Sequence, residues 1–166
     1  MTLLLLPRLR ASAPARVVNV ASDAYKDARG GFDFEDVNAE KKCSAIRQYA
    51  LSKLANILFT RELAQRLEGT GVTANAATPP RLTATGFARN VHPLANLGLR
   101  LAAPVLLSPR KGVQSLVHLC TSPTVGHLSG TYWSGLRQPP LTPAASSATD
   151  AGRLWDLSAA LTGVDG

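Results

Sequence analysis

The chain has 166 residues and a formal net charge of +7 at pH 7, and 45% of its residues are hydrophobic against 17% charged. This length suits one ordinary domain with its own core, and the composition excludes an intrinsically disordered chain. Two cysteines are too few for a disulfide scaffold, and neither has metal-ligand spacing. We therefore expect Cys43 and Cys120 to be free, buried thiols, and we expect no metal site.

Neither apolar stretch of the sequence has the pattern of a targeting or membrane segment. The first seven residues carry no basic residue ahead of the apolar run, the reverse of a secretory signal. Residues 94–107 are interrupted by Arg100 and Pro104 and are shorter than the ~20 residues that cross a bilayer. We expect a soluble, cytoplasmic chain. The basic residues are scattered rather than clustered, which predicts a solvated surface and no nucleic-acid partner.

The first elements in chain order are a strand, a crossover and a second strand. Residues 16–22 form a short β-branched apolar run, typical of a buried strand in a parallel sheet. A polar insertion over residues 23–43 follows, and residues 72–77 form the next strand. A unit of this kind is parallel and right-handed in nearly all cases.

The crossover contains a long helix. Apolar residues recur at helical spacing from Ile46 to Leu67, Ser44 can cap the amino terminus, and Gly69 and Gly71 end the pattern.

Shorter elements follow the second strand. The predictions are a helix over residues 94–105, a helix starting at Ser108 and Pro109, a strand over 130–134, a loop over 139–149 and a last helix over 148–161 that stops at Gly163. The fold class is therefore α/β.

Several polar residues fall where such a fold binds ligands, beyond the carboxyl ends of the strands. Ser22 ends the first strand and Pro79 and Pro80 end the second. The long helix begins at that same edge and carries Tyr49 and Lys53 in its opening turns. Four positions separate this tyrosine from this lysine, so their side chains are neighbours on one helix face.

These three side chains suit carbonyl/alcohol interconversion. A phenol is a poor acid–base group at neutral pH, but a neighbouring ammonium favours the phenolate. A tyrosine in that setting can exchange a proton with a carbonyl or alcohol oxygen, and Ser22 can donate a hydrogen bond to the same oxygen. The Tyr-x-x-x-Lys spacing is weak by itself, and a serine after a strand is more often a turn or cap residue.

Longer segments resemble the short-chain dehydrogenase/reductase family, in its retinol dehydrogenase-like branch. The matching segments are Arg16-Val-Val-Asn-Val-Ala-Ser22, Tyr49-Ala-Leu-Ser-Lys53-Leu-Ala-Asn-Ile-Leu-Phe and Gly71-Val-Thr-Ala-Asn75, and later Leu107-Ser-Pro-Arg-Lys-Gly112, Leu128-Ser-Gly-Thr-Tyr-Trp133 and Ala151-Gly-Arg-Leu-Trp155. The resemblance thus covers nearly the whole chain, and it corresponds to the C-terminal portion of a single domain of that family.

The resemblance implies a Rossmann-type fold and hydride transfer between NAD or NADP and a small-molecule carbonyl or alcohol. By position, Ser22 would polarise the substrate oxygen, Tyr49 would be the acid/base, and Lys53 would bind the nicotinamide ribose and favour the phenolate. Tyr49 and Lys53 would thus also contact the cofactor. Residues 86–107 would cover the substrate.

The resemblance also places Pro79, Pro80 and Thr85 against the cofactor, with Thr85 near its amide. Here the sequence departs from the branch, which usually has His-Pro-Gly where this chain has Thr78-Pro79-Pro80. A proline in place of the glycine removes a backbone N–H and fixes φ beside the nicotinamide.

No glycine-rich turn joins a strand to a helix in this sequence, so nothing in it can place a pyrophosphate on a helix amino terminus. We therefore expect a partial Rossmann-type sheet that lacks the N-terminal cofactor-binding half, from a truncated or misassigned reading frame, and inactive alone. The alternative is a non-catalytic interaction module or relic that forms a homo-oligomer through the long helix. A third hypothesis, a basic nucleic-acid binder, has only net charge in its favour.

Overall fold

The computed structural model describes residues 1–38, 40–41, 44–79 and 112–164. In chain order the elements are α1 (Thr2–Ala11), β1 (Ala15–Val20), a 3₁₀ helix (Asp23–Asp27), α2 (Ala45–Arg66), β2 (Val72–Thr78), α3 (Gln114–Thr121), a 3₁₀ turn (Pro123–Val125), β3 (Tyr132–Ser134), α4 (Pro143–Ser146) and α5 (Ala148–Thr162). The α/β class is confirmed.

The strands of the described residues form one parallel sheet in the order β1-β2-β3. Val18 is paired with Asn75 across the first ladder, and Ala77 with Trp133 across the second. Because β1 and β2 run parallel, the chain between them must cross over the sheet, and α2 is that crossover. The predicted strand–helix–strand unit is therefore confirmed.

Asn75 fixes the loop that leads into β3. Its side-chain nitrogen donates to the carbonyl oxygen of Leu128 at 2.7 Å, and its side-chain oxygen accepts from the backbone N–H of Thr131 at 3.0 Å. Asn75 is only 3% exposed, and a buried amide is stable there because both of its polar ends are bonded.

Helix α2 begins where the sequence predicts. The Ser44 side-chain oxygen accepts the backbone N–H of Arg47 at 3.2 Å, which caps the helix. The buried residues of this helix lie along one face: Ala50, Leu54, Ile57, Leu58, Thr60 and Leu63. Gly69 follows with φ +75°, a conformation that glycine adopts without strain. Ile46 was expected in this face but is 74% exposed, because the first turn precedes the buried cluster.

Apolar packing holds helices on both sides of the sheet. On one side, Trp155 of α5 packs in a cluster with Leu63, Leu67 and Val72. On the other side, Trp133 of β3 packs with Ala77 of β2 and Leu119 of α3. Both tryptophans are buried. Each tryptophan thus fixes one helical layer against β2 or β3.

Other boundaries differ from the sequence predictions. Strand β1 ends at Val20 rather than Ser22 and is only half-buried, because it lies at the edge of the described sheet. The loop predicted over 139–149 contains the short helix α4, capped by Thr142. Cys120 is exposed, not buried, because it follows the inward-facing Leu119 on α3 and turns to the outer side.

Some expectations fall outside the described residues. These concern Cys43, the helix over 94–105, the start of a helix at Ser108 and Pro109, and the segment 86–107. The helix predicted after Pro109 is present over Gln114–Thr121.

Candidate functional site at the carboxyl edge of the sheet

Two hydrogen bonds align α2 with β1. The Asn19 side-chain amide donates to the hydroxyl oxygen of Thr60 at 2.8 Å, and the Asn56 side-chain amide donates to the carbonyl oxygen of Val20 at 2.9 Å. As the strand advances by one residue, the contacted helix position moves back by four. Helix and strand are therefore antiparallel, and the start of α2 lies at the carboxyl end of β1.

This alignment sets the level of the candidate residues. With a helix rise of about 1.5 Å per residue, Lys53 and Tyr49 lie about 4.5 and 10.5 Å beyond Asn56 along the helix. With a strand rise of about 3.3 Å per residue, Ser22 lies about 6.6 Å beyond Val20. Ser22 thus falls between the levels of Lys53 and Tyr49, at one edge of the sheet.

Ser22 follows the strand and caps the 3₁₀ helix. Its backbone is extended, with φ −154° and ψ 145°, and its Oγ accepts the backbone N–H of Ala24 at 3.2 Å. Ser22 is therefore a cap residue, which was one of the two roles that the sequence allowed for it. It does not use the hydroxyl proton, which can still be donated to another oxygen.

Tyr49 and Lys53 are neighbours on α2, as their spacing predicts. The Lys53 ammonium lies over the Tyr49 ring, 5.4 Å from its centroid, within the range of a cation–π contact. Both side chains are half-buried. Each side chain is therefore still accessible to a ligand at this edge.

Sequence reasoning missed a group of polar residues at this edge. The Asp23 carboxylate accepts hydrogen bonds from the hydroxyls of Tyr132 and Ser134, each at 3.2 Å. The Lys26 ammonium lies 3.2 Å from the same carboxylate. An acidic residue directly after Ser22 was the available signal, but only the sheet order shows that β3 supplies its partners.

Two hydroxyl groups, one on β2 and one on α3, donate to carbonyl oxygens at the end of β2. The Thr78 hydroxyl donates to the carbonyl oxygen of Pro79 at 3.1 Å, and the Ser115 hydroxyl donates to the carbonyl oxygen of Thr78 at 3.3 Å. Pro79 therefore lies at the same carboxyl edge as Ser22. Pro80 and Thr85 fall outside the described residues, and so does the predicted substrate cover.

A cavity of about 740 Å³ lies elsewhere, at the opposite edge of the sheet. Its lining includes Pro14, Val72 and Gly130, which precede or begin the three strands. It is too far along the strands to belong to the candidate site.

Within the described ranges, no group of three or more His, Cys, Asp or Glu side chains could hold a metal ion. Over the same residues, no helix has the length and apolar character needed to cross a bilayer. The cytoplasmic location stays a prediction.

Curated proteins similar to this chain are retinol dehydrogenases and their relatives. Mouse retinol dehydrogenase 14 is 41% identical over 99% of this chain, and human retinol dehydrogenase 12 is 42% identical over 99%. Bovine dehydrogenase/reductase SDR family member 13 is also 42% identical. The chain spans about half the length of these relatives: 49%, 51% and 44% respectively. No family model matches the chain.

Solved structures give the same fold. A putative uncharacterized protein from Mycobacterium paratuberculosis superposes with a TM-score of 0.67 at 30% identity, covering 99% of this chain and 55% of that one. A 3-oxoacyl-[acyl-carrier protein] reductase from Brucella melitensis superposes with a TM-score of 0.53 at 24% identity, over 81% and 47%. A blue fluorescent protein from a metagenomic library, solved with NADPH, gives a TM-score of 0.52 at 21% identity, over 79% and 49%.

The parallel sheet with helices on both faces places the chain among the Rossmann-like α/β proteins. It belongs to the short-chain dehydrogenase/reductase family and corresponds to the C-terminal portion of the domain of its retinol dehydrogenases.

Proposed function

We propose that this chain carries the proton-transfer site of an NAD(P)-dependent oxidoreductase that interconverts a carbonyl and an alcohol. The observation that carries the proposal is the contact of Lys53 with the Tyr49 ring, 5.4 Å from its centroid, at the helix level of Ser22. The names of the relatives suggest a substrate of the retinol/retinal type, an apolar molecule with one primary alcohol or aldehyde.

Ser22 would hold the substrate oxygen. Its Oγ already accepts the Ala24 N–H, so its own proton is the group left for an external acceptor. The cap also restricts the side-chain torsion, so the hydroxyl is oriented before the substrate arrives. Such an oriented donor stabilises negative charge that develops on a carbonyl oxygen during reduction.

Tyr49 would transfer the proton and Lys53 would assist it. A phenol hydroxyl can give its proton to the nascent alkoxide, and the neighbouring ammonium stabilises the phenolate that remains. In the oxidative direction the same phenolate would accept the alcohol proton. Lys53 is held over the ring, so its charge is close to the group whose ionisation it must balance.

The donor set at this edge fits the nicotinamide half of the cofactor. When bound, a reduced nicotinamide supplies the hydride for the carbonyl carbon. Lys53 offers an ammonium that can donate to ribose hydroxyls. Pro79 lies at the same edge without a backbone N–H to offer, and the resemblance adds Pro80 and Thr85 to the contacts. The sequence contains no glycine-rich turn for the pyrophosphate, so the fit extends to the nicotinamide half alone.

Reduced nicotinamide mononucleotide therefore tests the proposal directly, because it lacks the adenosine half. We expect this chain to bind it in the millimolar range and to bind NADPH or NADH within about tenfold of the same affinity, since only the shared half is contacted. We also expect it to oxidise the bound mononucleotide when retinal is added, in contrast to the expectation from the sequence that the chain is inactive alone. Fluorescence titration measures the binding, and absorbance at the reduced-nicotinamide band follows the reaction.

Tyr49→Phe should keep the binding and lose the reaction, because only the hydroxyl is removed. Ser52→Ala is the matched control on the same helix, since the Ser52 hydroxyl is exposed and donates to the Tyr49 backbone carbonyl at 2.7 Å. If neither nucleotide binds at millimolar concentration, or if Tyr49→Phe turns over as fast as Ser52→Ala, the proposed function is wrong for this chain.

Exposed apolar side chains favour a second candidate, a non-catalytic module that self-associates through its helices. Leu4 and Leu5 of α1 and Ile46 of α2 are 70%, 49% and 74% exposed. Light scattering on the purified chain separates the two proposals when combined with the nucleotide titration. A defined dimer without nucleotide binding supports the module, and a monomer counts against it.

A further inference from the structure

Asp23 links the carboxyl ends of two strands that are not neighbours in the sheet. It follows Ser22, which comes two residues after the last residue of β1, and its two carboxylate oxygens accept the hydroxyls of Tyr132 and Ser134, the first and last residues of β3. Strand β2 lies between β1 and β3. The Asp23 side chain therefore connects the segment after β1 with β3, across the end of β2.

Burial makes this link stronger than a surface contact. The Asp23 side chain is 17% exposed and Tyr132 is 3% exposed. Hydrogen bonds to an ionised group are worth more than neutral ones, and more again where water is excluded. Burial first, and then the Asp23 charge, raise the pKa of Tyr132 well above its usual value, so this phenol stays protonated and remains a donor. The Lys26 ammonium, 46% exposed, adds a weaker contact on the solvent side.

The short 3₁₀ helix transmits the link to Ser22. The backbone N–H of Tyr25 donates to the Ser22 carbonyl at 3.0 Å, and that of Ala24 donates to the Ser22 Oγ at 3.2 Å. Tyr25 is 1% exposed and packs edge-on against Tyr132, with ring centroids 5.3 Å apart. Asp23 and Tyr25, the two neighbours of Ala24 in the chain, therefore both contact Tyr132 of β3.

We propose that Asp23 is a positioning residue: through Tyr132 and Ser134 it holds the turn that orients the Ser22 hydroxyl. This inference rests on the proposed function for its catalytic consequence, because it assigns Ser22 a fixed direction toward the substrate oxygen. The stability of this turn is a property of the folded chain and can be measured without any reaction. Asp23 does not touch the substrate, so its effect passes entirely through Ser22.

The experiment compares Asp23→Ala, Asp23→Asn and Ser134→Ala. Asparagine keeps an oxygen acceptor and a similar shape, whereas alanine removes both bonds. Ser134→Ala removes a single bond from a partly exposed hydroxyl and remains informative if the alanine variant at position 23 does not fold. The first readout is the amide-exchange protection factor of Ala24, measured by NMR, because opening of this turn frees that N–H.

We expect protection of Ala24 to fall about tenfold in Asp23→Ala, by a smaller factor in Ser134→Ala, and least in Asp23→Asn, in line with the hydrogen bonds lost. The Asp150 amide, which donates to the Ser147 cap at 3.1 Å, should keep its protection in every variant. Unchanged Ala24 protection in both Asp23→Ala and Ser134→Ala would overturn the inference. An equal loss at Asp150 would also overturn it, because that result means general destabilisation.

The second readout is retinal reduction with reduced nicotinamide mononucleotide. We expect kcat to fall about tenfold in Asp23→Ala with KM for retinal within about twofold, and Asp23→Asn to recover most of kcat. A wild-type chain without any reduction contradicts the proposed function, while Ala24 protection still decides whether Asp23 holds the turn. Normal kcat in a variant with lost Ala24 protection would show that the orientation of Ser22 has no catalytic role.

Discussion

The Asn56 side chain donates to the backbone carbonyl of Val20 at 2.9 Å, at the last residue of β1. The bond sets how far α2 extends past the end of the strand. Lys53 and Tyr49 lie one and two turns earlier on the same helix, so their level relative to Ser22 depends on it. Together with the bond between Asn19 and Thr60, this amide sets which helix positions lie at the level of the carboxyl edge.

Replacing this amide should loosen that alignment. We expect Asn56→Ala to lower the free energy of unfolding by about 1–2 kcal/mol, because the Val20 carbonyl loses its donor at a partly buried position. Urea unfolding followed by circular dichroism measures the change. Gln65→Ala on the exposed side of α2 is the control and should stay within about 0.5 kcal/mol of wild type. Equal stability of the two variants would contradict the alignment role.

Lys53 should control nucleotide affinity rather than folding. We expect Lys53→Met to weaken the binding of reduced nicotinamide mononucleotide about tenfold, because a charge-assisted donor to the ribose is lost while the apolar stem is kept. Lys41→Met removes an exposed lysine whose contact with Asp33, at 3.9 Å, is at the limit of an ion pair. Fluorescence titration of both variants should show a change only for Lys53. A comparable loss in both would indicate nonspecific attraction by the net charge.

Much of this arrangement could be predicted from the sequence, since local patterns determine it. The Ser44 cap, the helical apolar face and the glycine stop depend on neighbouring residues alone, and α2 begins and ends accordingly. The neighbouring positions of Tyr49 and Lys53 follow from helix geometry in the same way.

Features that depend on tertiary contacts were missed or placed wrongly. Nothing near Asp23 in the sequence indicates that Tyr132, more than a hundred positions later, donates to it. Ile46 has the right spacing for the core, yet the first turn of α2 lies outside the buried cluster. Cys120 is exposed because α3 turns Leu119 inward, and a composition rule for cysteine cannot predict which of two neighbouring residues faces out.

The two tyrosines at the carboxyl edge should make stability fall at high pH. Burial raises the pKa of Tyr25 and of Tyr132 above the usual value of about 10. A raised folded-state pKa gives stability that is fully present below the unfolded pKa and is lost as the pH rises above it, because the unfolded chain releases the proton first. We therefore expect the two tyrosines to contribute a constant amount to the free energy of unfolding up to about pH 9. From about pH 10 this contribution should decline steadily.

Urea midpoints between pH 8 and pH 11 check this expectation. Tyr132→Phe should show a shallower decline than wild type, although it is less stable at pH 8 because the bond to Asp23 is lost. Tyrosinate absorbance on the folded chain should report no titration of Tyr132 below the unfolding transition. Ionisation of Tyr132 before unfolding would contradict its burial.

Two glycines should respond to alanine in opposite directions. A Cβ on Gly126 would lie 2.6 Å from the Arg16 guanidinium, which cannot move freely because it donates to the carbonyl oxygens of Leu119 and Ser122 at 2.9 and 2.7 Å. We expect Gly126→Ala to destabilise the chain by about 1–3 kcal/mol, because the guanidinium must give up part of these bonds.

Gly152 offers the matched comparison, since it lies inside α5 with nothing within 4 Å of an added Cβ. Alanine there should stabilise the chain by about 0.5–1 kcal/mol, because the helix no longer bears the conformational entropy of glycine. Thermal unfolding of the two variants in parallel tests both signs. If Gly126→Ala were as stable as Gly152→Ala, Arg16 would have room to move, and its bonds to the end of α3 would not fix that helix against β1.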